Sequence, residues 1–266
     1  MFLLLLILVI TNDVARTSPR LAVAVSIEAP LTPGKAPVAG VDRPRLSVLL
    51  SAPDTLDPYE EARHRMVQRQ IAARGIEDPA VLNAMRTVKR HEFVPADQLK
   101  FAYEDRPLPI GYGQTISQPY IVAYMTELVR PDSTHRVLEV GTGSGYQAAV
   151  LAEIVDHVYT IEIIPELAST ARDRLAALGY DNVSVRQADG YFGWEDEAPF
   201  DAIVVTAASE HIPPPLIQQL RDGGRMIIPV GTPFRTQTLM LVTKEGDEIQ
   251  TRSLVPVRFV PFLGDR

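Results

Sequence analysis

The nine residues Leu138-Glu139-Val140-Gly141-Thr142-Gly143-Ser144-Gly145-Tyr146 constrain the fold most, because an apolar strand runs into three alternating glycines and then into a helix. In an open parallel sheet, ligands settle beyond the carboxyl ends of the strands, and glycines there let a ligand meet the backbone without a Cβ in the way. The flanking chain keeps the same rhythm. It predicts strands at 137–140, 158–161, 183–187, 202–206 and 225–230, and helices at 146–155, 165–178 and 214–220, with Gly179 closing the second of these helices and Asp222-Gly223-Gly224 forming a turn. Short apolar strands alternating with amphipathic helices give an α/β fold: a mostly parallel twisted sheet with helices on both faces.

Extra helices precede this unit. Met66, Val67, Gln70 and Ile71 share one side of a helical pattern that Gly75 closes, and Asp78-Pro79 caps a second helix that buries Val81, Leu82 and Met85. Residues 103–118 carry Pro107, Pro109, Gly111 and Gly113 without strand alternation and read as a loop, after which Pro119 begins an apolar helix through residue 129. Residues 1–57 differ in kind. The first ten form an apolar run far shorter than the ~20 residues of a membrane-spanning helix. Its length suits a signal-peptide core and Ala22-Val23-Ala24 a cleavage site, although no Lys or Arg precedes it. An exported protein is one expectation and an irregular N-terminal extension the other. Residues 11–57, rich in Pro and Ala and without a sustained period, are expected to be a disordered linker, leaving 58–266 as the folded domain.

Composition narrows the partners. Lys+Arg 26 against Asp+Glu 33 gives a net charge of −7, and residues 11–57 hold five charges of each sign, so the excess of acid belongs to the domain. That balance argues against nucleic acid as a partner. With no cysteine and five scattered histidines, neither a thiolate site nor a metal site is expected.

The glycine turn gains meaning from its neighbours. Glu162 ends the next strand, 21 residues after Gly141, where an acid accepts hydrogen bonds from both ribose hydroxyls of a nucleoside. The dinucleotide fingerprint requires a third glycine at position 146, which is Tyr146, and no Gly-Lys-Ser/Thr follows to make a triphosphate loop. Glu139 gives the turn acidic character, which suits a nucleoside with a positive centre such as S-adenosyl-L-methionine. Asp189-Gly190, after the third strand, lies where adenine could be contacted, and a plain turn is the alternative.

Six motifs in order carry a family resemblance: Arg90-His91-Glu92-Phe93-Val94-Pro95, Gly113-Gln114-Thr115-Ile116-Ser117-Gln118-Pro119, the glycine turn, Asp201-Ala202-Ile203-Val204-Val205-Thr206-Ala207-Ala208, Pro229-Val230-Gly231 and Val257-Arg258-Phe259-Val260-Pro261. Residues 60–262 resemble the protein-L-isoaspartate O-methyltransferase family. The resemblance implies a Rossmann-like class I methyltransferase with extra N-terminal helices and C-terminal strands, working as a cytoplasmic monomer. It implies methyl transfer from S-adenosyl-L-methionine to the α-carboxylate of L-isoaspartyl residues in damaged proteins, giving an ester that closes to a succinimide and reopens partly as aspartyl. The cofactor would meet Glu139, Gly141, Gly143, Gly145, Glu162, Asp189 and Gly190.

The chemistry is compatible with this inventory. Methyl transfer is an in-line displacement, and holding the partners collinear supplies roughly 7–11 kcal/mol. A carboxylate acceptor is already ionised at neutral pH and needs no general base. Ser117 precedes Pro119 at the start of a helix, where free N–H groups favour an anion; its hydroxyl could aim the acceptor, with Thr115 and Gln118 in support. Its alternative role is a helix cap worth about 1 kcal/mol. Arg258 lies in the ending that the resemblance places beside the bound peptide; otherwise that ending reads as an edge strand. Residues 207–215 follow a strand and so lie on the ligand side of the sheet, with a turn shaped by their prolines as the alternative. Competing functions are a methyltransferase for another acceptor, a non-catalytic cofactor binder and a nicotinamide dehydrogenase. The missing Asn/Asp-Pro-Pro-Tyr/Phe motif, the paired Ser117 and Glu162, and Tyr146 argue against them in turn.

Overall fold

In the computed structural model, which describes residues 57–264, the chain opens with helices. α1 (Glu60–Met66) continues through a π turn at Val67–Ile71 and a 3₁₀ turn at Ala72–Arg74 until Gly75, at φ 92°, reverses the chain. α2 (Pro79–Thr87) starts as expected, with the Asp78 carboxylate accepting from the N–H groups of Ala80 and Val81. Met66, Val67, Ile71, Val81 and Met85 are buried. Gln70 leaves that apolar group, since its amide donates to the Tyr103 carbonyl at 3.0 Å. The leader and linker readings fall on residues 1–56, outside the described residues.

The stretch read as a loop contains a hairpin. β1 (Leu108–Gly111) pairs antiparallel with β2 (Gln114–Ile116), setting Leu108 opposite Ile116 with both side chains buried. Pro109 donates no ladder hydrogen bond, and strands of four and three residues are too short for alternation to show in the sequence.

The main sheet follows the predicted order closely. α3 (Pro119–Leu128), β3 (Arg136–Val140), α4 (Tyr146–Ala152), β4 (His157–Glu162), α5 (Pro165–Ala177), β5 (Val183–Gln187), β6 (Phe200–Val205), α6 (Pro214–Gln219), β7 (Leu220–Val230), β8 (Gln237–Glu245) and β9 (Glu248–Val257) succeed one another. The strands lie in the order β5-β4-β3-β6-β7-β8-β9, the first five parallel and the last two antiparallel. Most boundaries move by one or two residues, and two move by more. α4 ends at Ala152, short of 155, and β7 starts at Leu220, absorbing the Asp222-Gly223-Gly224 turn as an irregular lead-in where its register against β6 shifts.

Side chains of the inner strands alternate between two cores. Val137, Ala202 and Val204 pack with the N-terminal helices, whereas Leu138, Val140, Ile203 and Val205 face the opposite layer. Glu139 therefore points to the same face as Val137. The sheet order reverses at β3, with β4 and β5 on one side and β6 and β7 on the other, and the crevice at such a switch point is where α/β folds hold ligands. Among the described residues no helix is long and apolar enough to cross a membrane.

Candidate active site

Beyond the carboxyl ends of β3 and β4 lies an open cleft of about 750 Å³, its mouth included. The turn Gly141 to Ser144, Glu162 to Ile164, Gly190, Thr206 and the segment Val260 to Phe262 wall it. Gly141 holds φ 100°, and a Cβ there would stand 2.4 Å from the Thr206 Oγ1 that donates to the Gly141 carbonyl at 2.7 Å. Gly141→Ala is accordingly expected to cost about 2 kcal/mol and to lower the melting temperature by roughly 4–8 °C, read by thermal denaturation. A Cβ at Gly190 would meet Val140 Cγ1 at 2.4 Å.

Glu162 is fixed before any ligand arrives. It is buried; Oε2 accepts from the Gly143 N–H at 2.8 Å and Oε1 from the Ile164 N–H at 3.0 Å. Each oxygen keeps a further lone pair for a hydroxyl donor. Glu139 is fully buried in the cleft wall, directly across from Thr160, whose hydroxyl donates to Oε2 and also meets the Thr142 hydroxyl at 2.6 Å. Its Oε1 has no hydrogen-bond partner among the described residues. Burial pushes its pKa from the ordinary 4.5 up to about 8, against the Thr160 hydrogen bond and with added repulsion from Glu162.

Two expected cofactor residues do not line the cleft. Gly145 precedes α4 at φ 89° and faces Leu175, 3.2 Å from where its Cβ would be. Asp189 turns its carboxylate to the Tyr191 N–H at 2.9 Å and lies against Gly264.

A second groove of about 890 Å³, walled by Pro107, Gln118, Ile121, Thr236 and the segment Pro256 to Phe259, adjoins the first. The two share Thr115, Ser117, Thr206 and Val260. Ser117 stands one residue before Gln118, the cap of α3, and no side chain among the described residues caps that helix. Gln118 lines the groove while its amide donates to the Asp105 carbonyl at 3.2 Å. Arg258 is exposed in the groove wall.

The chain ending differs from the edge strand that its alternation suggests. β9 stops at Val257; the Phe259 N–H then donates to Gln237 Oε1 at 2.9 Å, and residues 260–262 run beside Ala208 through bonds of 2.8 and 2.9 Å, which brings the ending to the cleft. His91 packs away from the cleft, stacked on Tyr59 at 4.2 Å and bonded to the Tyr103 hydroxyl at 2.7 Å. His211 meets the Tyr191 ring edge-on at 6.0 Å. Thr206 was missed as a site residue because only the pairing of β6 beside β3 brings its hydroxyl under the glycine turn.

The cleft fits a nucleoside bearing a positive centre: the glycine turn lines it with backbone, and a buried carboxyl oxygen in its wall has no hydrogen-bond partner among the described residues. Strand order, glycine turn and the acid ending β4 define a Rossmann-like class I methyltransferase. The family model for protein-L-isoaspartate(D-aspartate) O-methyltransferase matches residues 61–266. The chain belongs to that family. It is 61% identical over 218 residues to protein-L-isoaspartate O-methyltransferase 2 of Syntrophobacter fumaroxidans, covering 78% of this chain and 88% of that protein. A solved protein-L-isoaspartate O-methyltransferase superposes with a TM-score of 0.70 at 29% identity, over 77% of this chain and 66% of that one. A Plasmodium falciparum structure, described as a protein-L-isoaspartate O-methyltransferase in complex with S-adenosyl-L-homocysteine, superposes with a TM-score of 0.65 at 26% identity, over 76% of this chain and 98% of that one.

Proposed function

We infer that this protein repairs damaged proteins by methylating the α-carboxylate of L-isoaspartyl residues at the expense of S-adenosyl-L-methionine. The observation that carries the reading is the wall shared by the two cavities, which Ser117 lines on both sides. S-adenosyl-L-methionine supplies an electrophilic methyl on a sulfonium. Glu162 would take the ribose hydroxyls, Gly141, Gly143 and Gly190 would line the nucleoside, and Glu139 would face its positive portion. The groove receives the peptide, with Thr115, Gln118 and Arg258 along it. Ser117 would donate to one acceptor oxygen and leave the other free to attack.

No base is required, because the acceptor is ionised at neutral pH. As the carboxylate attacks the sulfonium both charges vanish, so a largely apolar wall such as Ile116, Val122, Ile161 and Val260 favours the transition state over the separated ions. The ester then leaves, and its closure to succinimide needs nothing from the protein. The domain's acidic balance supports a protein rather than a nucleic-acid acceptor. The family resemblance supports a cytoplasmic monomer, and sequencing the mature N-terminus tests the exported alternative.

The direct experiment offers labelled S-adenosyl-L-methionine and a matched pair of peptides, one isoaspartyl and one aspartyl. Base-labile label on the first alone is expected; label on neither removes the reading. Ser117→Ala is expected to lower kcat/KM about tenfold while leaving S-adenosyl-L-homocysteine affinity within about twofold, since one hydrogen bond to a charged acceptor is worth about 1.5 kcal/mol.

A further inference from the structure

Arg90 is fully buried, yet it takes part in none of the ion pairs among the described residues. Its Nε donates to the Ala102 carbonyl and its Nη2 to the Ser117 carbonyl, each at 2.8 Å, while Nη1 has no hydrogen-bond partner among the described residues. The guanidinium carbon stands 4.8 Å over the ring of Tyr146, the first residue of α4 and a wall of the nucleoside cleft. A buried cation outside any ion pair, with Asp105 acting on it only through its field, is a costly way to fill a core, and an apolar side chain of similar volume would pack there at least as stably. A guanidinium adds what an apolar residue lacks: a rigid fork that holds two carbonyls at once and remains charged. One of those carbonyls belongs to the residue on the wall between the two cavities.

We propose that Arg90 is a positioning residue for the methyl transfer, holding the Ser117 backbone against the nucleoside side of the site so that the Ser117 hydroxyl meets the acceptor in line. This rests on the acceptor role given to Ser117 above. Two ways for Arg90 to matter can be separated by charge. Attack consumes the acceptor's negative charge, so a cation acting only through its field would favour the bound carboxylate over the transition state and would appear in KM. A residue that aligns the acceptor appears in kcat.

The test uses Arg90→Lys and Arg90→Met in the full chain, each alone and combined with Ser117→Ala. Expected for the single variants are a native circular dichroism spectrum, S-adenosyl-L-homocysteine affinity within about threefold, and a kcat lowered about tenfold for Met and less for Lys, with smaller changes in KM. In the Ser117→Ala background the same substitutions should lower kcat by less than about twofold, because Arg90 acts through that residue. An undiminished kcat in a folded variant, a loss confined to KM, or an equal loss with and without the Ser117 hydroxyl overturns the proposal. If Arg90→Met does not fold, Arg90→Lys carries the same cycle. A Ser117→Ala enzyme with normal kcat is a different failure: it removes the acceptor role of Ser117, and the Arg90 proposal with it, while label on the isoaspartyl peptide still stands for the reaction.

Discussion

Replacing Glu162 by alanine is expected to weaken S-adenosyl-L-homocysteine binding by about 100-fold or more, close to 2.7 kcal/mol, as measured by titration calorimetry. Two losses add. The carboxylate that would accept the ribose hydroxyls disappears, and with it the acceptor for the N–H groups of Gly143 and Ile164. Those donors line a partly buried turn, and leaving a buried donor unmade costs about 1–3 kcal/mol. Glutamine is no conservative replacement here. Its amide has one oxygen for two converging backbone donors, so its NH₂ must face either Gly143 or Ile164, and a loss nearly as large is expected. Binding by Glu162→Ala within threefold of wild type would show that the turn is set without this carboxylate and that the nucleoside is held elsewhere.

What could be read from the sequence follows from how locally each feature is encoded. The strand, glycine turn and acid of residues 138–162 are local: strand period, turn residues and the next strand end lie within 25 positions, and the structure assembles them as read. Helix starts at Asp78 and Pro119 were equally visible, because a cap and a first-turn proline act on neighbouring N–H groups. Features made by long-range pairing were not. Thr206 reaches Gly141 only because β6 lies beside β3, and the alternation at 257–261 leaves an edge strand and an ending beside the bound peptide both open because its partner, Ala208, is fifty residues away. The hairpin at 108–116 was hidden by its own brevity. Burial of charge is not legible either: Arg90 and Glu139 are both fully buried, and no periodicity distinguishes a charged residue placed inside from one left in water.

Glu139 should make both stability and cofactor affinity depend on pH. Its pKa is near 8 in the folded protein against an ordinary 4.5, so between those values the native state keeps a proton that the unfolded chain has lost. Unfolding then releases a proton, and stability falls as pH rises from about 4.5 to about 8, flattening above. Over that window the loss is on the order of 3–5 kcal/mol. Glu139→Gln does not titrate and preserves the acceptor for Thr160, so its denaturant midpoint at pH 8.5 should exceed that of wild type, while near pH 5 the two should agree closely. A positive nucleoside beside the unpartnered Oε1 reverses the preference, favouring the carboxylate. Binding at pH 7 should therefore expel close to one proton from wild type and distinctly less from Glu139→Gln. Calorimetry in two buffers of different ionisation enthalpy reads that number directly. Equal proton release by the two proteins would mean that Glu139 stays neutral beneath the ligand, and that its burial serves the sheet and not the cofactor's charge.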